Sequence, residues 1–173
     1  MDRCTECGFD PDDVRPRDIP TAVRSFGRRY RAPLTRGLPG EDLDDVVRRS
    51  PGPGVWSALE YGAHIIDIFE VFDDRVRCAL EGRDPDDVEV DWEGRVAAAA
   101  PGLDRVEVAE RIADAADTLG TTLDEVHGDE WRLVGLTGRG RPVAVADLGR
   151  IVVHEGSHHL LDLGRVLRAA RGR

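Results

Sequence analysis

The sequence predicts an all-α protein, a four-helix bundle with long loops between its helices. Hydrophobic residues make up 40% of the 173 residues and aromatic residues only 5%, so the core must consist mainly of Leu, Val, Ile and Ala, a mixture that suits packed helices. Four segments carry apolar residues at helical spacing, and the segments between them are rich in Pro, Gly and Asp. We expect one domain, with residues 1–18 as a polar leader that contains Cys4-x-x-Cys7 and residues 19–173 as the bundle.

The first two bundle helices are marked by their boundaries. The first is expected from about Ile19 to Leu34, and the Pro- and Gly-rich loop after it has room for a short helix near Leu43–Val47. The second helix is marked most clearly, because Ser57 and Glu60 have the spacing of a capping box. A broad apolar face then continues to about Leu80, which predicts that this helix is largely buried.

The second half of the chain predicts two more long helices. Residues 84–102 are interpreted as a long turn region, after which Asp104 and Glu107 repeat the capping spacing at the start of a third helix. Residues 131–140 are interpreted as a loop or a short strand. The last helix is expected from about Val145 to Arg171, which completes a bundle of four.

Charge and hydropathy exclude several classes of partner. The formal net charge of −10 argues against a nucleic-acid-binding protein, because neutralising phosphates requires a basic surface. No apolar run reaches the ~18 residues of a membrane span, and the first residues do not have the form of a signal peptide. A cytoplasmic protein without nucleic-acid or membrane partners is therefore expected, and a homodimer is left open.

Four potential metal ligands lie close together in the last predicted helix, namely His154, Glu155, His158 and His159. Residues four apart share a face of a helix, so either Glu155 with His159 or His154 with His158 is spaced to hold one ion. His64, in the middle of the apolar second helix, is the candidate for a third ligand from a facing helix. Three protein ligands with one open position are typical of a catalytic metal site.

A helical wheel favours one of these two pairs. At about 100° per residue, Glu155 and His159 fall on or beside the apolar face of the last helix, whereas His154 and His158 fall among polar residues. The wheel therefore favours Glu155 and His159 as the inward ligands. A rotation of the helix by a few tens of degrees would favour the other pair, so both remain open.

Two carboxylates are candidates for orienting the imidazoles. Asp162 follows His159 by three residues, and Asp67 follows His64 by about one turn, so each is spaced to accept a hydrogen bond from a ring N–H. Taken alone, a histidine on an apolar helix is more often a core residue, and a helical His/Glu cluster is more often a solvated face. We prefer the metal interpretation because two independent segments offer the same chemistry.

The residues around these candidate ligands resemble those of the DinB-like metal-binding four-helix-bundle superfamily. The segment from Trp56 to His64 resembles the family's second-helix motif, W-[ST]-x-x-E-x-x-x-H, and the segment from His159 to Asp162 resembles the end of its last-helix motif. The pattern is similar to that of the metal-binding domain of mycothiol-dependent maleylpyruvate isomerase, which uses His, Glu and His as ligands. The ligands that the resemblance implies are His64, Glu155 and His159, with His154 and His158 as the alternative pair on the last helix.

The resemblance also implies a function. Family members bind a divalent metal, often zinc or nickel, with an open coordination position, and several use it to activate a low-molecular-weight thiol such as mycothiol. The implied function is a metal-dependent thiol transferase or isomerase, with a small-molecule thiol and an electrophilic substrate as partners. The alternative is a non-catalytic metal-binding bundle with a structural or regulatory role.

The leader carries a separate motif, Cys4-x-x-Cys7-Gly8, which resembles one knuckle of a zinc ribbon. A site with four cysteines requires a second pair, and the chain has only three cysteines in all. We therefore expect for Cys4 and Cys7 a minor metal-binding or redox role at most.

Overall fold

Four long helices form the body of the molecule in the computed structural model, which describes residues 1–172. A short antiparallel hairpin, β1 (Val134–Leu136) and β2 (Pro142–Ala144), precedes the last helix, where the sequence predicted a loop or a short strand. Apart from this hairpin the protein is all-α, as predicted. The α-helices are α1 (Ile19–Thr35), α2 (Leu43–Arg48), α3 (Ala58–Glu81), α4 (Trp92–Ala99), α5 (Arg105–Asp124) and α6 (Val145–Ala170).

Helices α1, α3, α5 and α6 make the bundle. α1 packs mainly against α5, α3 lies against both α5 and α6, and α1 also contacts α6. None of the helices in the described part of the chain is both long and apolar enough to cross a membrane. Side chains that are fully buried in the core include Phe26, Tyr30, Leu34, Ile65, Phe69, Ile112, Leu119 and Leu148.

The predicted capping residues begin two of these helices. Ser57 Oγ accepts from the backbone N–H of Glu60 at 3.2 Å, and Glu60 Oε2 accepts from the backbone N–H of Ser57 at 2.8 Å, so the capping box of α3 is confirmed. Asp104 accepts from the backbone N–H groups of Val106 and Glu107 and begins α5. Each cap satisfies backbone donors that the first helical turn leaves without a partner.

Residues 84–102 are not the continuous turn region that the sequence predicted. Helix α4 begins after Asp91, whose Oδ1 accepts from the backbone N–H of Gly94 at 2.9 Å. Its apolar pattern escaped detection because Val96 is its one buried residue. Short 3₁₀ helices span Pro11–Asp13, Pro16–Asp18, Ala100–Gly102 and Gly128–Arg132.

Gly156 allows α1 to approach α6 closely. A Cβ atom at this position would lie 2.5 Å from Cε2 of Phe26, well inside van der Waals contact. The hydroxyl of Tyr30 donates to the carbonyl oxygen of Gly156 at 2.9 Å. The contact fixes α6 against α1 at the residue that follows Glu155.

The leader lies against α6. Nε of Arg150 donates to the carbonyl oxygen of Val14 at 3.1 Å, and the ring of Phe9 lies 5.3 Å from that of His154. The polar stripe that the helical wheel assigned to α6 is therefore partly covered by residues from the start of the chain.

Candidate metal centre

His64 on α3 and the pair Glu155 and His159 on α6 meet in the bundle. Each offers one donor atom, and these three atoms lie within 4.8 Å of one another. Oε2 of Glu155 is 3.2 Å from Nε2 of His159, close to the ~3.3 Å that tetrahedral zinc imposes on bound N and O atoms. The ring centroids of His64 and His159 are 4.8 Å apart, with the ring planes at 82°.

His64 is buried without a hydrogen-bond partner. It is 5% exposed, and its Nδ1 is fully buried and has no partner among the described residues. Burial, and then the proximity of His159, lower the pKa of His64 from 6.5 to about 4, so the ring is neutral at neutral pH. An unpaired polar atom in the core costs free energy, and a neutral imidazole is the form that binds metal. The residue therefore fits a metal ligand.

Glu155 is held as a carboxylate. Burial opposes its ionisation, but the hydrogen bonds to His154 and His159 outweigh burial and bring the pKa of Glu155 below its usual range. The two oxygens face different imidazoles: Oε2 faces His159 at 3.2 Å, and Oε1 lies 3.4 Å from Nδ1 of His154. One carboxylate and two imidazoles are a common ligand set for a divalent metal.

Of the two carboxylates predicted to orient imidazoles, one lies beside its histidine. Oδ2 of Asp162 is 3.2 Å from Nδ1 of His159, on the side of the ring opposite Glu155. Asp67 instead pairs with Arg95 at 3.6 Å. It makes no hydrogen bond to His64, whose Nδ1 has no partner within the described residues.

The alternative pair does not join His64. His154 and His158 belong to a second group, with Cys4 and Cys7, in which the four donor atoms lie within 4.8 Å of one another. The structure thus divides the four ligand candidates of α6 between two neighbouring clusters.

The first cluster forms part of the wall of a cavity of about 490 Å³, a volume typical of small-molecule sites. The ring of Trp56 lies 4.9 Å from that of His64, and the ring of Trp92 lies 5.5 Å from it at 90°. Two exposed side chains from the hairpin loop, Arg139 and Arg141, also line the cavity, and neither makes an ion pair with a described residue. Sequence reasoning missed Trp92, because α4 went unrecognised. It interpreted residues 131–140, which include Arg139, as a loop or a short strand and gave neither arginine a role.

The sequence model of the DinB superfamily matches residues 27–163. The crystal structure of a mycothiol-dependent maleylpyruvate isomerase superposes with a TM-score of 0.71 at 19% identity, covering 89% of this chain and 62% of that one. A histidine-to-alanine mutant of that type of enzyme gives the same TM-score at 18% identity and the same coverage. The chain thus spans less than two thirds of these structures, and the likeness at this identity concerns the fold. No curated protein sequence matches the chain. The predicted fold and family resemblance are confirmed.

Proposed function

The chain belongs to the DinB superfamily, and we propose that it is a metal-dependent enzyme that activates a low-molecular-weight thiol of the mycothiol type. The reaction we propose is transfer of that thiol to a small electrophile, or isomerisation through its addition. The observation that carries the proposal is the meeting of His64, Glu155 and His159 in the wall of a cavity large enough for a small molecule. A cytoplasmic location, where thiols are kept reduced, is part of the proposal.

The three side chains leave room for a further ligand. Two neutral imidazoles and one carboxylate neutralise only one charge of a divalent ion, and they supply three of the four ligands of tetrahedral zinc. A thiolate in the fourth position would bring the net charge of the half-buried site to zero, which burial favours. When bound, the zinc or nickel ion supplies Lewis acidity that lowers the pKa of a thiol ligand so that its thiolate forms near neutral pH.

The surrounding residues perform the remaining tasks. Asp162 holds Nδ1 of His159 and so directs Nε2 of that ring toward Glu155. The rings of Trp56 and Trp92 pack beside His64 and give that side of the cavity an aromatic wall. The reaction needs no protein nucleophile, since the thiol sulfur attacks the electrophilic carbon.

The rim of the cavity suggests the charge of the substrate. Arg139 and Arg141 are exposed cations without acidic partners among the described residues. Guanidinium groups bind carboxylates through paired N–H donors. We therefore propose an electrophile that carries a carboxylate, whose reactive carbon lies on the histidine side of the cavity.

Metal content per chain, measured by elemental mass spectrometry, tests the site. His159→Ala is expected to lose one equivalent of metal, because three ligands become two. His127→Ala is the matched control, since this exposed histidine lies far along the chain from both clusters, after α5, and it should retain the full content. Equal metal content in all three proteins would refute the site.

Cobalt substitution tests the chemistry. In the cobalt-loaded protein, a thiol such as mycothiol is expected to change the visible ligand-field spectrum and to do so in native protein but not in His159→Ala. A cobalt spectrum that does not change when thiol is added would instead favour a non-catalytic metal-binding bundle.

A further inference from the structure

We infer that the chain carries a second metal site, a closed Cys₂His₂ zinc site formed by Cys4 and Cys7 of the leader and His154 and His158 of α6. The four donor atoms lie within 4.8 Å of one another. The site is distinct from the His64 cluster and does not depend on the proposed thiol chemistry.

The spacing of the ligands is that of a structural zinc site. The pattern C-x₂-C followed by H-x₃-H falls within the ranges that structural Cys₂His₂ sites use. In α6, residues four apart share a face, so the two imidazoles lie side by side, with ring centroids 5.3 Å apart. Two ligands from a turn and two from a helix give four protein donors and leave no open position.

The leader is folded into a turn that presents its two thiols together. The backbone N–H of Gly8 donates to the carbonyl oxygen of Cys4 at 3.0 Å, and the backbone N–H of Cys4 donates to the carbonyl oxygen of Phe9 at 2.8 Å. Gly8 has a φ of +75°, a conformation that glycine adopts without strain. The turn therefore needs the Gly that follows Cys7.

One separation between two of the proposed ligand atoms matches tetrahedral coordination closely. With Zn–S and Zn–N bonds of about 2.3 and 2.05 Å, tetrahedral geometry places a bound sulfur and nitrogen about 3.6 Å apart. Sγ of Cys4 lies 3.6 Å from Nδ1 of His158. The separation equals that of two atoms that share an ion, and it is also an ordinary length for a hydrogen bond to sulfur.

Both histidines are oriented by carboxylates through their other nitrogen. Nδ1 of His154 lies 3.4 Å from Oε1 of Glu155, and Nε2 of His158 lies 3.4 Å from Oδ2 of Asp162. This leaves Nε2 of His154, a buried atom with no hydrogen-bond partner among residues 1–172, as the metal-facing nitrogen. A carboxylate behind each ligating imidazole is the usual arrangement at zinc sites.

The charge of the site also suits zinc. Two thiolates and two neutral imidazoles balance the two charges of the ion, so the half-buried cluster would be neutral.

The site would join the leader to the helix that carries the other cluster. Glu155 faces His154 with one oxygen and His159 with the other, and Asp162 contacts both His158 and His159. A zinc ion here would hold the leader on α6 and keep these two carboxylates in place. Its role is structural, since four protein ligands leave no position for a substrate.

Stoichiometry of metal in the whole chain tests the inference. Native protein loaded with zinc is expected to hold two equivalents, and Cys4→Ser/Cys7→Ser is expected to hold one. Cys78→Ala is the matched control, because this third cysteine is buried in α3 away from both clusters, and it should hold two. An unchanged zinc content in the double variant would overturn the inference.

Two further measurements do not depend on that variant. Cobalt-loaded native protein should show an intense sulfur-to-cobalt charge-transfer band, which His159→Ala should retain. In the native zinc protein, titration of thiols with a mercurial reagent should release one equivalent of zinc together with the modification of Cys4 and Cys7. Absence of the band at two equivalents of cobalt, or rapid alkylation of Cys4 in zinc-loaded protein, would each contradict a zinc site.

Discussion

Replacing Asp162 by Asn tests whether His159 is held in place as a ligand through its second nitrogen. Oδ1 of Asp162 accepts from Nη1 of Arg165 at 2.9 Å, whereas Oδ2 lies 3.2 Å from Nδ1 of His159 and 3.4 Å from Nε2 of His158. Arg165 can only donate, so the Asn amide would keep its oxygen toward Arg165 and turn its NH₂ group toward the imidazoles. Those ring nitrogens carry protons when the opposite nitrogens bind metal, so donor would face donor.

The expected cost follows from the role of such a contact. Loss of a hydrogen-bond partner behind a ligating histidine weakens metal binding by about 10- to 100-fold, or about 1.4 to 2.8 kcal/mol. The assay is competition for zinc against a chelator of known affinity, near neutral pH. Using Cys4→Ser/Cys7→Ser as the background confines the measurement to the His64 cluster.

Two variants control this experiment. Asp147→Asn changes a carboxylate on the same helix that pairs with Arg150 at 2.8 Å and should leave zinc affinity unchanged. Adding Arg165→Met to Asp162→Asn frees the amide to turn its oxygen toward the imidazole, which should restore part of the affinity. Zinc affinity in Asp162→Asn equal to that of its background would refute the orienting role.

Further predictions concern stability. Gly156→Ala places a Cβ 2.5 Å from Cε2 of Phe26. Overpacking of this kind costs about 1–3 kcal/mol, more than the ~1 kcal/mol that alanine gains in helix propensity. Urea unfolding should therefore show a less stable protein. Gly164→Ala, whose nearest neighbour is Nη1 of Arg168 at 3.6 Å, should instead be more stable by about 1 kcal/mol; equal effects of the two would contradict the close approach of α1. In metal-free protein, burial lowers the pKa of His64 from 6.5 to about 4, so the folded state binds fewer protons than the unfolded chain in that range. The contribution of neutral His64 to the free energy of unfolding is fully present above pH 6.5 and is lost, by about 3 kcal/mol, as the pH falls through 4. Urea unfolding measured at a series of pH values should show this loss of stability in native protein and not in His64→Asn.

The parts of the fold that the sequence predicted are those set by local chemistry. Ser57 and Asp104 mark helix starts because each cap satisfies backbone donors only two or three residues away. The apolar stripes of the long helices repeat over many turns, so their period stands out. Helix α4 has eight residues and one buried side chain, too few for an apolar period to appear. Because the helix was not predicted, the position of Trp92 beside His64 was not predicted either.

The candidate site also has one part that local sequence patterns indicate and one part that they do not. The helical wheel separated Glu155 and His159, which meet His64 in the structure, from His154 and His158, which do not, because the two pairs differ by one step of rotation about α6. It could not say what the polar pair would meet. That depends on a contact across most of the chain, between α6 and the leader that contains Cys4, and no local pattern in the sequence encodes that contact.

The arrangement of α6 has a consequence for how the two proposed metal sites respond to each other. Glu155 and His159 each follow a member of the pair His154/His158 by one residue. Because one residue turns an α-helix by about 100°, the two pairs face adjacent sides of α6. Glu155 is then shared, as a ligand of one site and a hydrogen-bond acceptor at the other. Removal of zinc from the leader site would free His154 to take a proton, and a protonated imidazole would draw the carboxylate away from the first metal. The affinity of the His64 cluster should therefore fall when the cysteines are replaced, although none of its own ligands has changed.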